Sequence, residues 1–126
     1  MLYKEEFETP SGIQVKFYFT QGDTISFIAT PHDEKGELID LSLIQSCTFK
    51  LANKKDKDAL GNFKHLFKKQ SSEKSENGFL IKLESEETST FPATRDDLCY
   101  SVEYQFYDGT VNTPNFCDIE VWPRIV

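Results

Sequence analysis

The sequence predicts an all-β protein, an antiparallel sandwich of about seven strands, and three observations lead to that prediction. Apolar and polar residues alternate over much of the chain, which is the two-residue period of a strand with one buried face. Turn residues separate these runs at short intervals, and amphipathic helical patterns are nearly absent. The composition, with eleven Phe, five Tyr and one Trp, favours pleated and half-buried surfaces over helices.

The clearest strand pattern lies between Leu98 and Pro123. Apolar residues at every second position predict two long strands, with inward positions Tyr100, Val102, Tyr104 and Phe106 in the first and Cys117, Ile119 and Val121 in the second. Asp108-Gly109 lies between them and is a hairpin signal, because glycine tolerates a positive φ. We expect these two strands to be the central pair of the fold.

The remaining strand patterns are shorter. Alternation predicts strands over residues 13–20, 24–30, 47–51 and 79–83, the last of them started by a turn at Asn77-Gly78. Within 58–69 the apolar spacing fits a strand and a helix, and we favour a strand at 63–67. Residues 70–76 are polar and predict a loop, and the acidic connection 84–90 has room for one helical turn.

The length of 126 residues is that of one domain. Residues 1–10 are interpreted as an N-terminal arm or edge strand, because Pro10 cannot donate to a strand ladder. Residues 11–126 are interpreted as a single sandwich domain. The arm could pair with a neighbouring subunit.

The charge is unevenly distributed. The chain has a net charge of −7, which argues against direct nucleic-acid binding because phosphate affinity needs clustered cations. Residues 50–82 contain nine Lys and four acidic residues, a balance of +5, so the rest of the chain carries −12. Two interpretations stay open for this basic segment: a solvated Lys-rich loop, or a contact for an acidic surface, including that of another copy.

The three cysteines do not suggest a disulfide framework or a zinc site, since their number is odd and no short paired spacing occurs. By strand phase, Cys47 and Cys117 point inward and Cys99 points outward. The N-terminal residues lack the apolar core of a signal peptide, and no transmembrane run is present. We therefore expect reduced thiols, folding inside the cell, and no membrane contact.

The sequence predicts no enzyme, no cofactor and no metal site. His32 stands beside Asp33 and Glu34, a weak candidate for a metal site against the simpler interpretation of a solvated turn. His65 is weaker still, and no nucleophile motif or phosphate loop occurs. The acidic pairs 86–87 and 96–97 are adjacent in sequence, so their side chains would point in opposite directions on a strand rather than converge on a cleft.

Exposed aromatic residues are the more informative feature. Tyr18, Phe116 and Trp122 fall opposite the inward positions or at a strand end, where aromatic side chains serve protein interfaces and sugar stacking. Cover by the N-terminal arm or by residues 53–77 is the alternative. The candidate partner-contact residues are Tyr3, Tyr18, Lys54, Lys55, Lys64, Lys68, Lys69, Phe116 and Trp122.

Several residues point to an immunoglobulin-like sandwich. Tyr100 enters a long strand where such folds place their tyrosine corner, and Val102 stands where antibody domains have the second cysteine of their disulfide. The order of motifs also resembles the immunoglobulin-like domains of tailed-bacteriophage virion proteins, including the N-terminal domain of baseplate upper proteins. The motifs that carry this resemblance are Gln21-Gly22-Asp23-Thr24, Ile39-Asp40-Leu41, Cys47-Thr48-Phe49-Lys50-Leu51, Ile81-Lys82-Leu83, Phe91-Pro92, Tyr100-Ser101-Val102-Glu103-Tyr104, Asp108-Gly109-Thr110-Val111 and Ile119-Glu120-Val121.

The resemblance implies a non-enzymatic structural or auxiliary component of a tailed-phage virion, at the capsid surface, neck, tail or baseplate, assembled in the host cytoplasm. Its partners would be other virion proteins or copies of itself. The alternative is a carbohydrate-binding or adhesin-like module on the same fold, with Tyr18 and Trp122 as stacking platforms. Fold alone does not choose between the two functions.

Overall fold

A computed structural model describes residues 2–9, 12–114 and 116–126, and the side chains of residues 7–9 and 12–14 lie outside that description. These described residues form ten strands, one short α-helix and one 3₁₀ turn. The strands are β1 Tyr3–Thr9, β2 Gly12–Thr20, β3 Ile25–Ala29, β4 Ile44–Lys57, β5 Phe63–Ser71, β6 Lys74–Ser75, β7 Gly78–Leu83, β8 Thr94–Phe106, β9 Val111–Asn112 and β10 Cys117–Trp122. The helix α1 is Ser85–Thr88, and the 3₁₀ turn is Leu41–Leu43.

The strands form two sheets. The large sheet has the order β1-β2-β10-β8-β4-β5, with β9 paired to the far end of β8, and the small sheet has the order β3-β7-β6. The mostly-β prediction is confirmed, and the antiparallel prediction is wrong at one pair, since β10 runs parallel to β2. Residue alternation marks strands but not their neighbours or directions, so it gives no sign of this pair. The count rises from about seven to ten because of β1, β6 and β9.

The two sheets pack on one hydrophobic core. The core includes Phe17 of β2, Phe27 of β3, Phe49 of β4 and Tyr100 of β8, all buried. Phe27 of the small sheet lies 4.6 Å from Phe17 and 5.9 Å from Phe49, ring centre to ring centre. These contacts define an inner face of the large sheet, which packs on the small sheet, and an outer face on the opposite side.

The predicted hairpin from Leu98 to Pro123 is right for its turn and its first strand. Gly109 has a φ of 90°, and the turn closes with Phe106 N–H donating to Thr110 O at 2.9 Å. β8 is central, between β10 and β4. The returning chain is not one long strand, because it divides into the two-residue β9 and then β10, which pairs with the first half of β8.

Tyr100 does not close a corner onto its own neighbouring backbone. Its hydroxyl donates to the carbonyl oxygen of Val15 in β2, at 2.6 Å. The β2–β10 ladder begins at the pair Ile119 and Phe17, just beyond Val15, so the Tyr100 hydroxyl satisfies a carbonyl that lies outside this ladder. Burial raises the pKa of Tyr100, which keeps the hydroxyl protonated as a donor.

The strand predicted at 63–67 is confirmed, and the hairpin that contains it is longer than predicted. β4 continues to Lys57, and the Asp58 carboxylate then accepts the backbone N–H groups of Leu60 and Asn62, at 2.9 and 3.0 Å. Gly61 completes this turn with a φ of 86°. An Asp followed by Gly three residues later is a turn signal that could have located the hairpin.

The loop predicted at 70–76 is wrong. β5 extends to Ser71, whose hydroxyl donates to the carbonyl oxygen of Leu80 at 2.6 Å, and Lys74–Ser75 forms β6. Leu80 N–H in turn donates to Glu73 O at 2.8 Å. The polar composition of this segment predicts a loop, but its backbone is ordered by pairing with β7.

The turn before β7 uses its glycine in a different way from the one predicted. The positive φ falls on Glu76, at 52°, not on Gly78. A Cβ atom at Gly78 would collide with the carbonyl oxygen of Ala29 in the neighbouring strand β3. Glycine is therefore required here for the close approach of two backbones. The helical turn predicted within 84–90 is confirmed as α1.

Candidate binding surface on the outer face of the large sheet

Three of the predicted contact residues come together on the outer face. Tyr3 of β1 stands opposite Tyr18 of β2, and Trp122 at the end of β10 lies beside both. The Trp122 ring centre is 6.0 Å from that of Tyr3 and 6.4 Å from that of Tyr18. Tyr3 is 50% exposed and Trp122 is 39% exposed. We refer to these three side chains as the aromatic surface.

Two side chains of the aromatic surface donate hydrogen bonds to carboxylates of the same chain. The Tyr18 hydroxyl donates to the Glu5 carboxylate, and this bond raises the pKa of Tyr18 to about 12. The Trp122 indole N–H donates to Glu120 of the same strand. Because these donors already have partners, the exposed ring faces remain for contact with another molecule.

Four charged residues surround the aromatic surface, and we refer to them as the charged shell: Glu5, Lys16, Arg95 and Glu120. Glu120 is at its centre. It is buried to 9% exposure although strand phase places it on the outer face. Its carboxylate lies 3.7 Å from the Lys16 ammonium and 3.9 Å from the Arg95 guanidinium. The Lys16 ammonium also stands 5.1 Å from the centre of the Tyr18 ring, a cation–π distance. The two cations and the aromatic rings cover Glu120.

The contact residues predicted from the sequence do not include the four charged residues Glu5, Lys16, Arg95 and Glu120. One signal was available, since Glu120 and Trp122 are two positions apart in a strand and therefore share a face. Arg95 offers no comparable signal, because its place depends on the β8–β10 register.

Phe116, the other exposed aromatic residue of the prediction, lies in a different part of the outer face. It packs edge-on against Phe63 of β5, with ring centres 5.1 Å apart, and stays 48% exposed. The two rings line a groove of about 540 Å³ over β4 and β8, which also contains Cys99 and Glu103. Tyr18 is thus partly covered within the chain, whereas Phe116, Trp122 and Tyr3 are half-exposed.

The cysteines follow the predicted strand phase. Cys47 is buried in the core and Cys117 packs partly against it. Cys99 faces outward into the groove, yet it is almost fully buried, and burial raises the pKa of its thiol. Burial also raises the pKa of the Cys47 thiol, to about 12. Neither environment favours a reactive thiolate.

Most of the candidate lysines have acidic partners within the chain. Lys54 pairs with Asp118 and Lys55 with Asp97, and both ion pairs join the basic segment, residues 50–82, to the acidic remainder of the chain. The other two pairs are Lys64 with Asp56 at 3.9 Å and Lys69 with Glu87 at 2.6 Å. Lys68 is exposed, and it has no ion-pair partner among the described residues. Ion pairs therefore balance most of the positive charge of these candidate lysines. The exception is Lys68, on the outer side of β5.

The described part of the chain brings together no group of three or more His, Cys, Asp or Glu side chains that could hold a metal ion. His32 lies exposed in a turn, bridged to Leu38 by backbone pairing. Among the described residues, no helix has the length and apolar character needed to span a membrane.

In comparisons with known proteins, no family model, no curated protein and no solved structure matches this chain.

Proposed function

We propose that the chain is a non-enzymatic binding protein, an immunoglobulin-like structural or auxiliary component of a tailed-phage virion. It contacts other virion proteins, or copies of itself, through the aromatic surface. The observation that carries the binding role is that Tyr3 and Trp122 stay half-exposed side by side while the charged shell holds the indole N–H. The virion part of the proposal rests on the resemblance of the sequence motifs.

The chemistry of the aromatic surface suits a protein partner. Tyrosine and tryptophan are enriched among the residues that dominate binding energy, because they bury a large rigid area with little loss of side-chain freedom. The Lys16, Arg95 and Glu120 charges around the rings add orientation and selectivity at the rim. A virion partner is encountered inside the host cytoplasm during assembly, and neither nucleic acid nor a membrane takes part.

The immunoglobulin-like assignment is supported by two sheets on one core and by the central place of β4 and β8 in the large sheet. The mixed pairing of β2 with β10 is compatible with a sandwich whose first and last long strands are neighbours. A core of this kind holds the sheets together without a disulfide bond, since all three cysteines are free thiols.

The test is incorporation of variants into particles. The double variant Tyr3→Ala/Trp122→Ala removes two rings of the aromatic surface, and we expect its copy number in purified particles to fall at least about tenfold, as for a loss of more than 1.4 kcal/mol of binding energy. Tyr107→Ala is the matched control, because Tyr107 is an exposed aromatic residue in the β8–β9 turn. Unchanged incorporation of the double variant would refute the contact role of this surface.

A second function is favoured by the geometry of the same residues. The rings of Tyr3 and Trp122 are inclined by only 34°, with a carboxylate beside them, an arrangement that a sugar ring could stack on and hydrogen-bond to. This carbohydrate-binding or adhesin-like alternative predicts specific signals on a glycan array that Trp122→Ala abolishes. Silence on the array together with incorporation into particles would exclude it.

A further inference from the structure

We infer that copies of this chain associate head to tail, with β1 of one copy pairing with β5 of the next so that the large sheet continues across the contact. This inference deepens the proposed function by naming the partner surface, and it rests on that function only in treating the chain as part of an assembly. It is carried by the two open edges of the large sheet and by their opposite charges.

The large sheet has an unpaired edge on each side. Within the described part of the chain, β1 pairs only with β2, and β5 pairs only with β4 in the large sheet. Each edge therefore presents a row of backbone N–H and C=O groups that another strand can bind. Ser71 and Lys69 tie the last residues of β5 to the small sheet, which leaves residues 63–68 as the accessible part.

The two edges carry opposite charge. β1 contains Lys4 and three Glu, at positions 5, 6 and 8, a net charge of −2. β5 contains Lys64, Lys68 and Lys69, a net charge of +3 with His65 neutral. Charges on an edge strand normally prevent association. Here they repel a second β1 or a second β5, but they attract β1 to β5.

Charged side chains on both edges are accessible. In the β1–β2 register Glu5 stands opposite Lys16 on the outer face, and Glu6 stands opposite Val15 on the inner side; both are exposed. Lys68 is exposed on the outer face, opposite Lys50, whose ammonium is already paired with Glu103. A carboxylate from the β1 edge of another copy would give Lys68 the ion-pair partner that it lacks among the described residues, because opposite charges across neighbouring strands are favourable.

Strand direction fixes the geometry of the contact. Across the large sheet from β1 to β5, four pairs of neighbouring strands are antiparallel and one pair is parallel. β1 and β5 therefore run in the same direction. A neighbour with the same face outward would then pair in the parallel sense. The aromatic surface beside β1 would lie next to the neighbour's Phe63 and Phe116, and both features would face one side of the assembly. Such a contact uses two different surfaces and so produces rings or filaments rather than a closed dimer.

The test is sedimentation of the purified full chain and of charge-reversed variants at about 0.01 M ionic strength, where the screening length is about 30 Å. Glu6→Lys/Glu8→Lys changes the charge of β1 from −2 to +2, and Lys64→Glu/Lys68→Glu changes that of β5 from +3 to −1. Circular dichroism and thermal unfolding of each variant would establish that it is folded.

We expect the wild-type chain to form species heavier than a dimer as its concentration rises, and to lose them in about 1 M salt, where the screening length is about 3 Å. Each charge-reversed variant alone should be monomeric. An equimolar mixture of the two should associate again, and so should the variant that carries all four substitutions, because both restore opposite charges across the contact.

A wild-type chain that stays monomeric at every concentration would overturn the inference. So would association that survives reversal of either edge, or a dimer that is the largest species formed. The chain could associate in solution and be absent from particles, or enter particles and stay monomeric in solution. The sedimentation experiment and the particle experiment can therefore fail independently.

Discussion

The inner and outer faces of the large sheet both carry aromatic side chains, but they use them differently. In β2, Phe17 and Phe19 point inward and are almost fully buried, whereas Tyr18 between them points outward. The inner set packs on other rings, as Phe17 does on Phe27 at 4.6 Å. In the outer set, Tyr18 and Trp122 each give their polar hydrogen to a carboxylate of the same chain.

Under the proposed function, this difference separates stability from recognition within single strands. An inward ring gains free energy from leaving water and from contact with other rings, so its loss costs the fold. A half-exposed outward ring has gained only part of that free energy, and the remainder is available to a partner. We therefore expect substitutions in the core to cost more stability than substitutions on the outer face.

The largest effect is expected from Phe49→Ala. Phe49 is fully buried and its ring lies 5.7 Å from Tyr100 and 5.9 Å from Phe27. Removing it leaves a cavity between the sheets, and we expect the free energy of unfolding to fall by about 3 to 5 kcal/mol. Urea denaturation measures this value. A loss below about 1 kcal/mol would show that the core does not hold the two sheets together.

Gly78→Ala tests the close approach between β7 and β3. The added methyl group would collide with the Ala29 carbonyl oxygen, so the strands must separate. We expect a loss of about 1 to 3 kcal/mol in the same denaturation experiment. Asn77→Ala is the control, since Asn77 is exposed in the adjoining turn. Equal effects of the two substitutions would contradict this account of Gly78.

Tyr100→Phe removes one hydroxyl and leaves the ring in the core. The Val15 carbonyl oxygen then loses its 2.6 Å donor. We expect a loss of about 1 kcal/mol, the usual net value of one buried hydrogen bond. Tyr104→Phe serves for comparison, because Tyr104 is also buried but lies where β8 pairs with β4 and β9. A larger loss from Tyr104→Phe would indicate that the bond to Val15 contributes little.

The smallest effect is expected for an ion pair on the outer face. The Lys50 ammonium lies 2.7 Å from Glu103 and lowers the pKa of that carboxyl. A lowered pKa in the folded state means that the stabilisation is present above the ordinary carboxyl pKa of about 4.3 and disappears as the pH falls through the folded value. The partly exposed pair contributes about 0.5 kcal/mol.

Unfolding of Glu103→Gln measured from pH 6 to pH 3 checks this effect. The variant should lose less stability on acidification than the wild-type chain, by about 0.5 kcal/mol. Glu86→Gln is the control, because Glu86 is exposed on α1 and has no ion-pair partner among the described residues. Identical acid sensitivity of the wild-type chain and Glu103→Gln would show that the ion pair with Lys50 does not contribute to stability.

Much of this fold is predictable from residue alternation. Ile25, Phe27 and Ala29 in β3 and Phe79, Ile81 and Leu83 in β7 are buried as their spacing predicts. Alternation is local, so it reports which side chains of a strand share a face. It contains no information on which strands become neighbours, and the parallel pairing of β10 with β2 is therefore absent from the prediction.

The candidate site is predictable in the same partial way. Tyr18 and Trp122 were predicted to point outward from strand phase, and the structure places them there. Their proximity to each other and to Tyr3 depends on β1 and β10 both lying beside β2. Strand phase places Glu120 on the outer face, yet it is buried because Lys16 and Arg95 of two other strands converge on it. Such contacts between distant residues have no local sequence signal.

The most direct test of the division between the two faces measures stability and incorporation in one variant, Trp122→Ala. Trp122 is 39% exposed, and we expect its removal to lower the free energy of unfolding by about 1 kcal/mol or less. The same variant should be depleted from particles by at least about tenfold. Normal incorporation, or a loss of stability comparable to that of Phe49→Ala, would contradict the claim that this face is kept for a partner.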